Sequence, residues 1–203
     1  MRIGLLADIH EDALNLRRAL RECARQRVDH VVVLGDTVTW PDPEPVAEVA
    51  GLLQGAGAIG VWGNHDFGLC HEVDEAVRRS WAPDVLQFMS TIRPRLELGP
   101  CHFSHVEPWL DPYDVLQLWY YEGPPDTPEK ASRSFAAVPH RFLFLGHFHQ
   151  WLLMTPDQLI PWQGERAVRL GDWERCLVIV APVFDGCCAV FDTHRTELLP
   201  LRW

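Results

Sequence analysis

The sequence predicts an α/β fold in which two sheets pack as a sandwich with helices on the outside. Three observations carry this expectation. Apolar, β-branched runs alternate with helically spaced stretches up to Trp62, five apolar runs end in short polar clusters, and the C-terminal part alternates short strands with turns.

Taken in order, the run Ile3 to Leu6 ends at Ala7-Asp8. Residues 13–26 then carry Leu14, Leu16, Leu20 and Cys23 at broadly helical spacing, so strand gives way to helix. Residues 30–36 (HVVVLGD) are uninterrupted and β-branched, as in a strand buried on both faces. A proline-rich loop (WPDPEP) leads to a helix in PVAEVAGLLQ, and after the turn GAGAIG a short strand ends at Trp62. This β-α-β-α-β order implies a mostly parallel sheet with right-handed crossovers. Residues 72–81 and 84–92 are expected as short helices, and 95–99 with 101–105 as a hairpin or neighbouring strands. Residues 111–121 and 127–138 are expected as two helices joined by Gly-Pro-Pro, and RFLFLG (141–146) as buried strand. Short strands should fill 151–155, 166–170, 176–183, 187–192 and 197–203. With 203 residues, 47% of them hydrophobic, the chain is expected to form one domain over residues 1–203.

Composition narrows the class. No stretch approaches the roughly 20 apolar residues of a membrane helix, and Asp8 and His10 interrupt the first apolar run where a leader peptide would continue. A cytoplasmic protein with no membrane partner is therefore expected. The six cysteines contain no C-x-x-C pair and are expected to be reduced, mostly buried thiols. A formal charge of −10 argues against nucleic acid as a partner, because affinity for phosphate backbones comes largely from Lys and Arg.

The chemistry lies where the strands stop. The first ends in Asp8-Ile9-His10, the second in Gly35-Asp36, the third in Gly63-Asn64-His65-Asp66, a later one in Ser104-His105, and RFLFLG in His147-Phe148-His149. In parallel sheets the loops beyond the C-terminal strand ends form the ligand crevice, so residues far apart in sequence can converge there. Aspartate and histidine suit borderline divalent transition metals, and no thiolate motif asks for a structural zinc site. Seven candidate ligands exceed what one tetrahedral ion needs, so two ions with a shared bridge are expected, and Asp36 is the natural bridge. Two divalent ions against Asp8 and Asp36 leave a net positive site, reduced but not abolished by a bridging hydroxide. Such a site would hydrolyse phosphoesters, the hydroxide attacking phosphorus while an imidazole oriented by a carboxylate protonates the leaving oxygen.

These residues resemble the calcineurin-like metallophosphoesterases, whose pattern is D-x-H, G-D, G-N-H-D/E, H and G-H-x-H in that order. The match is carried by Asp8 and His10, Gly35-Asp36, Gly63 to Asp66, His105, and Gly146-His147-x-His149. The chain looks most like the small branch near the YfcE-type phosphodiesterases and the protein-phosphatase-like members. The resemblance implies a four-layer α-β-β-α sandwich. It implies that Asp8, His10 and His149 bind one metal, that Asp36 bridges, and that Asn64, His105 and His147 bind the second. It implies that His65 is the general acid or transition-state stabiliser, with Asp66 holding its ring. The expected cofactors are two divalent ions, manganese first and iron, zinc or nickel as alternatives, and the expected partner is a phosphate mono- or diester. A scaffold on the same fold is the rival, and it would show an eroded ligand set; a phosphoprotein phosphatase is the alternative within the enzymes.

The chain departs from the family's common pattern at Val106 and Phe148, both expected to make the rim bulkier, and at Val180-Ala181-Pro182-Val183, where small members commonly carry Asn-Pro-Gly-Ser. It also lacks the common His-Gly-Asn at the first helix, where Asn15 is expected nearby. His30, His71, His102, His140 and His194 read as surface or satisfied residues. Trp40, Trp109, Tyr113, Trp119, Tyr120 and Tyr121 could wall the crevice, but core packing is the first expectation for each. Arg93, Arg95 and Arg133 read as solvated surface.

Overall fold

The computed structural model describes residues 1–39 and 43–203. Trp40 lies outside the described residues. The first sheet has the order β3-β2-β1-β11-β12-β9: Ile59–Val61, His30–Leu34, Arg2–Leu6, Cys187–Asp192, Glu197–Arg202 and Val168–Arg169. The second has the order β4-β5-β6-β10-β7-β8: Leu96–Leu98, Cys101–Phe103, Phe142–Leu145, Cys176–Ile179, Leu152–Met154 and Leu159–Ile160. Both sheets are mixed. β1, β2 and β3 run parallel, as do β5, β6 and β10, and the remaining pairs are antiparallel.

Alternation of side chains about each strand builds the layers. Ile3 and Leu5 of β1, Val32 and Leu34 of β2, Phe103 of β5 and Phe142 and Phe144 of β6 meet between the sheets. The opposite residues of the first sheet pack under helices α1 (Ala13–Arg25), α2 (Pro43–Gly55) and α5 (Pro83–Met89). α3 (Phe67–Cys70) and α4 (Glu75–Ser80) lie between α2 and α5 in sequence. Leu143, Leu145, Leu177 and Ile179 of the second sheet pack outward on α7 (Pro128–Ala137). This is the four-layer α-β-β-α order. Local signals start the helices: Asp12 caps α1 by accepting from the backbone N–H of Asn15 at 2.8 Å, and Thr127 caps α7 ahead of Pro128.

One expectation fails. Residues 111–121 do not form a helix beyond the single turn α6 (Val115–Leu118), in which only Leu118 is buried. A short helix needs an apolar face to pack, and one buried side chain is too little to hold a longer one. The C-terminal strands divide between the sheets: β7, β8 and β10 join the second, whereas β9, β11 and β12 extend the first.

Candidate metal centre

The parallel strands bring all seven candidate ligands to one edge. Asp8 and His10 follow β1, Asp36 follows β2, Asn64 follows β3, His105 follows β5, and His147 and His149 follow β6. The loops are tied across that edge by backbone bonds: Ile9 and His10 donate to the Asp36 carbonyl at 2.8 and 3.1 Å, and Gly146 donates to the His105 carbonyl at 3.2 Å. His105 links the sheets, its Nδ1 standing 2.7 Å from the Leu34 carbonyl. A carbonyl only accepts, so Nδ1 carries a proton. Burial opposes a second proton, but the Asp36 charge and hydrogen bond, with the Asp8 charge, raise the ring to about 9, and a metal at Nε2 would take that second proton's place.

Backbone strain concentrates here. Asp8, His10, Asp36, His147 and His149 all have φ between 47° and 69°, a left-handed conformation that side chains other than glycine avoid at a cost of about 1–3 kcal/mol each. Five of the nine such residues among the described residues are candidate ligands, so the cost falls mainly on the site. Two glycines make the close packing feasible. Gly35 adopts φ +91° against the His105 ring, and a Cβ at Gly63 would fall on the Asp36 carboxylate. Gly63→Ala is therefore expected to displace Asp36 and lower both thermal stability and metal content. An unchanged melting temperature and full metal content would contradict this packing.

The ligand atoms form two groups. Asp8, His10, Asp36 and His149 make one, and Asp36, His105 and His147 the other; within each, one ligand atom per residue lies within 4.8 Å of the rest. Asp36 is common to both. The Asn64 carbonyl oxygen adds to the second group, 3.0 Å from His105 Nε2 and 3.1 Å from His147 Nδ1. Asp36 Oδ2 is 3.2 Å from His105 Nε2 and 3.9 Å from His10 Nε2. Its Oδ1 accepts from the His65 backbone N–H at 3.0 Å.

The residues fit a cation-binding centre. Asp8 Oδ2, His10 Nδ1 and His147 Nε2 are buried without a hydrogen-bond partner, and His10 Nε2 faces His149 Nε2 at 3.4 Å. Buried polar atoms in proteins are otherwise almost always paired. Burial pushes the Asp8 carboxyl up to about 8, although His105 pulls the other way. Burial is the largest influence on Asp36 and raises it, but the charge and hydrogen bond of His105 together with the charge and backbone N–H of His65 hold that carboxyl down at about 2. Burial takes His147 down to about 3 and also lowers His10 and His149, which keeps these rings in the neutral form that binds metals.

His65 and Asp66 need separate treatment. The His65 ring stands beside the centre, 5.3 Å from the His10 ring, and its Nδ1 is 2.6 Å from the Thr39 carbonyl. Asp66 does not hold that ring. Its buried carboxylate accepts from the backbone N–H groups of Thr37, Val38 and Gly63 at 2.9 to 3.2 Å and braces the Asp36 and Asn64 loops against each other. Three fixed donors outcompete an adjacent ring whose own Nδ1 already faces a carbonyl. The Thr39 carbonyl does the orienting expected of Asp66.

The rim also differs from expectation. Val106 and Phe148 are buried and do not thicken it. Asn15 donates to the Phe184 carbonyl at 3.1 Å and accepts from the Trp203 indole N–H at 2.9 Å, so it secures the loop that carries Phe184. Val183 donates to the Ala7 carbonyl at 2.8 Å, and the next ring, Phe184, packs on His10 and His149 at 5.4 and 5.1 Å. Phe184 was not singled out, although it follows β10, and the strand-end rule that located the candidate ligands points to it as well. The aromatic wall is present. Trp119, 53% exposed, edges the His65 ring at 4.8 Å, and Tyr121, 63% exposed, edges His147 at 5.9 Å. Tyr113 and Tyr120 are also exposed, whereas Trp109 is covered by Arg133 at 4.2 Å. Arg95 is exposed as expected, though its guanidinium donates to the Pro108 and Leu110 carbonyls, and half-buried Arg133 pairs with Glu122.

Two mixed sheets between helices, with aspartate, histidine and asparagine gathered at the strand ends, define the metallophosphoesterase class of fold. Residues 1–176 match the calcineurin-like phosphoesterase superfamily domain, and the chain belongs to that family. Solved structures with the same fold include a metallophosphoesterase from Sphaerobacter thermophilus, 23% identical, with a TM-score of 0.78 over 100% of this chain and 88% of that one. An archaeal phosphodiesterase is 15% identical over the full length of both chains, with a TM-score of 0.60. Yfce, a phosphoesterase from E. coli, is 16% identical over 95% of this chain and 89% of its own, with a TM-score of 0.50. No curated protein matches the chain. Among the described residues no helix is long and apolar enough to cross a membrane.

Proposed function

We propose that this protein is a dinuclear metal-dependent phosphoester hydrolase. The observation that carries the reading is the pair of ligand groups sharing Asp36. Asp8, His10, Asp36 and His149 would hold one divalent ion, and Asp36, Asn64, His105 and His147 the second, with manganese the first candidate. Ions held there supply a nucleophilic water at neutral pH and neutralise charge on the phosphoryl group.

The chain's own residues do the rest. Asp36 would supply the negative charge between the two groups, because it is the carboxylate common to both. With Nδ1 facing the Thr39 carbonyl, His65 presents Nε2 to the site and protonates the leaving oxygen. Asp66 positions His65 indirectly, by bracing the loops on either side. The intact donor set favours an enzyme over a scaffold, since a scaffold has no need to keep strained, buried ligands together. The last hairpin, β11–β12, completes the first sheet beside β1, which supports one domain over residues 1–203. The six free cysteines are consistent with a cytoplasmic setting.

Hydrolysis of p-nitrophenyl phosphate and bis-p-nitrophenyl phosphate by manganese-loaded protein tests the proposal. Turnover of at least one ester, lost on chelation and restored by metal, is expected; metal-loaded protein inert to both would count against it. The exposed rings at the rim favour aryl or similarly planar leaving groups. Trp119→Ala should raise KM for bis-p-nitrophenyl phosphate about 2- to 10-fold with little change in kcat, the scale of one aromatic contact. An unaltered KM would remove Trp119 from the substrate's path.

A further inference from the structure

A second cluster of metal-type side chains lies at the other end of the second sheet. Glu97 and His102 are register partners across the β4–β5 hairpin, and His140 sits two residues before β6, the strand on the other side of β5. His140 precedes β6 whereas His147 follows it, so the length of that strand, at about 3.3 Å per residue, separates this cluster from the centre around Asp36. No motif of the family pattern includes these three residues.

The geometry points to a binding site for one divalent ion of the zinc type, held by Glu97, His102 and His140. His102 is only 1% exposed, yet neither ring nitrogen has a hydrogen-bond partner, and His140 Nδ1 is buried and unpartnered as well. A buried imidazole with both nitrogens unpaired is rare, and an ion beside Glu97 would take up the lone pair of Nδ1, the nitrogen that faces it. The carboxylate opposite does not do so by hydrogen bonding: Glu97 Oε1 is 3.9 Å from His102 Nδ1, and Oε2 is 3.6 Å from His140 Nε2. These gaps exceed the 2.7–3.2 Å of a hydrogen bond. They lie close to the separation of about 3.3–3.5 Å between ligands on a tetrahedral ion with bonds of about 2.0–2.1 Å. One ligand atom from each residue lies within 4.8 Å of the other two.

The donor types select the ion. Two imidazoles and one carboxylate favour zinc and its neighbours over calcium or magnesium, and three protein ligands leave a fourth position for water. Burial first, then His140 and Arg95, push the His102 ring down to about 4, so it is neutral and able to bind metal at pH 7. Arg95 is the nearby cation, and its guanidinium is engaged by the Pro108 and Leu110 carbonyls at 2.9 and 2.7 Å. The Glu97 side chain, 62% exposed, gives an ion a path from solvent. Bound there, the ion would clamp the β4–β5 hairpin to the entry of β6.

The test is zinc binding by full-length, chelator-stripped protein, followed by equilibrium dialysis, metal analysis and melting curves. Glu97→Gln and the double variant Glu97→Gln/His140→Ala are compared with wild type and with Asp36→Asn. The double variant is expected to bind one zinc fewer than wild type, and Glu97→Gln to bind that ion at least roughly tenfold more weakly, in line with or beyond losses at supporting residues. Asp36→Asn should retain a zinc-dependent rise in melting temperature that disappears when Glu97→Gln is added. Both Glu97 variants should keep manganese-dependent hydrolysis, which separates this site from the centre around Asp36. Equal zinc stoichiometry and affinity in wild type and Glu97→Gln would overturn the assignment; Gln at this exposed position conserves shape, so that result does not depend on the double variant folding.

Discussion

Asp36→Asn is expected to strip the protein of metal and of hydrolytic activity together. The substitution keeps the shape of a side chain that is 2% exposed and removes only its charge. That charge is the one both ligand groups share, and it faces His105 Nε2 at 3.2 Å. Asp8 does not replace it, because its carboxylate belongs to the first ligand group alone. The loss in kcat/KM should exceed the roughly 10- to 100-fold typical of losing a residue that only supports a ligand. Metal analysis and rate measurements on the same preparation check this, and an active Asp36→Asn protein with full metal content would sink the shared-bridge arrangement.

His65→Ala is expected to behave in the opposite way with respect to metal. Turnover should fall by roughly 10²- to 10⁴-fold, the usual range for lost acid–base catalysis. Metal content should stay near two ions, because the residue supports the centre through its backbone N–H on Asp36 Oδ1, which alanine retains. The ring itself meets the Thr39 carbonyl, His10 and Trp119. Undiminished turnover would remove His65 from the chemistry. Lost metal would instead make its ring part of the centre's structure.

The convergence of the candidate ligands was legible because each follows an apolar run, and strand ends in parallel sheets place such residues together by topology alone. Strain at Asp8, His10, Asp36, His147 and His149 was not legible, since nothing in a sequence marks a left-handed aspartate. The role of Asp66 was misread for a related reason. Adjacent His and Asp suggest a pair, but the loop turns the carboxylate onto three backbone donors supplied by other residues. His102 looks unremarkable within CHFSH, and its burial and unpaired nitrogens come from the way β4 and β6 flank β5. The division of the C-terminal strands between two sheets is likewise a matter of long-range pairing, to which short alternating runs give no address.

Anomalous X-ray scattering from crystals grown with manganese tests the central claim most directly. Two manganese peaks are expected, one on each side of the Asp36 carboxylate, the first beside Asp8, His10 and His149 and the second beside Asn64, His105 and His147. A single peak at that edge of the sheets, or metal bound there without contact to Asp36, would contradict the dinuclear account.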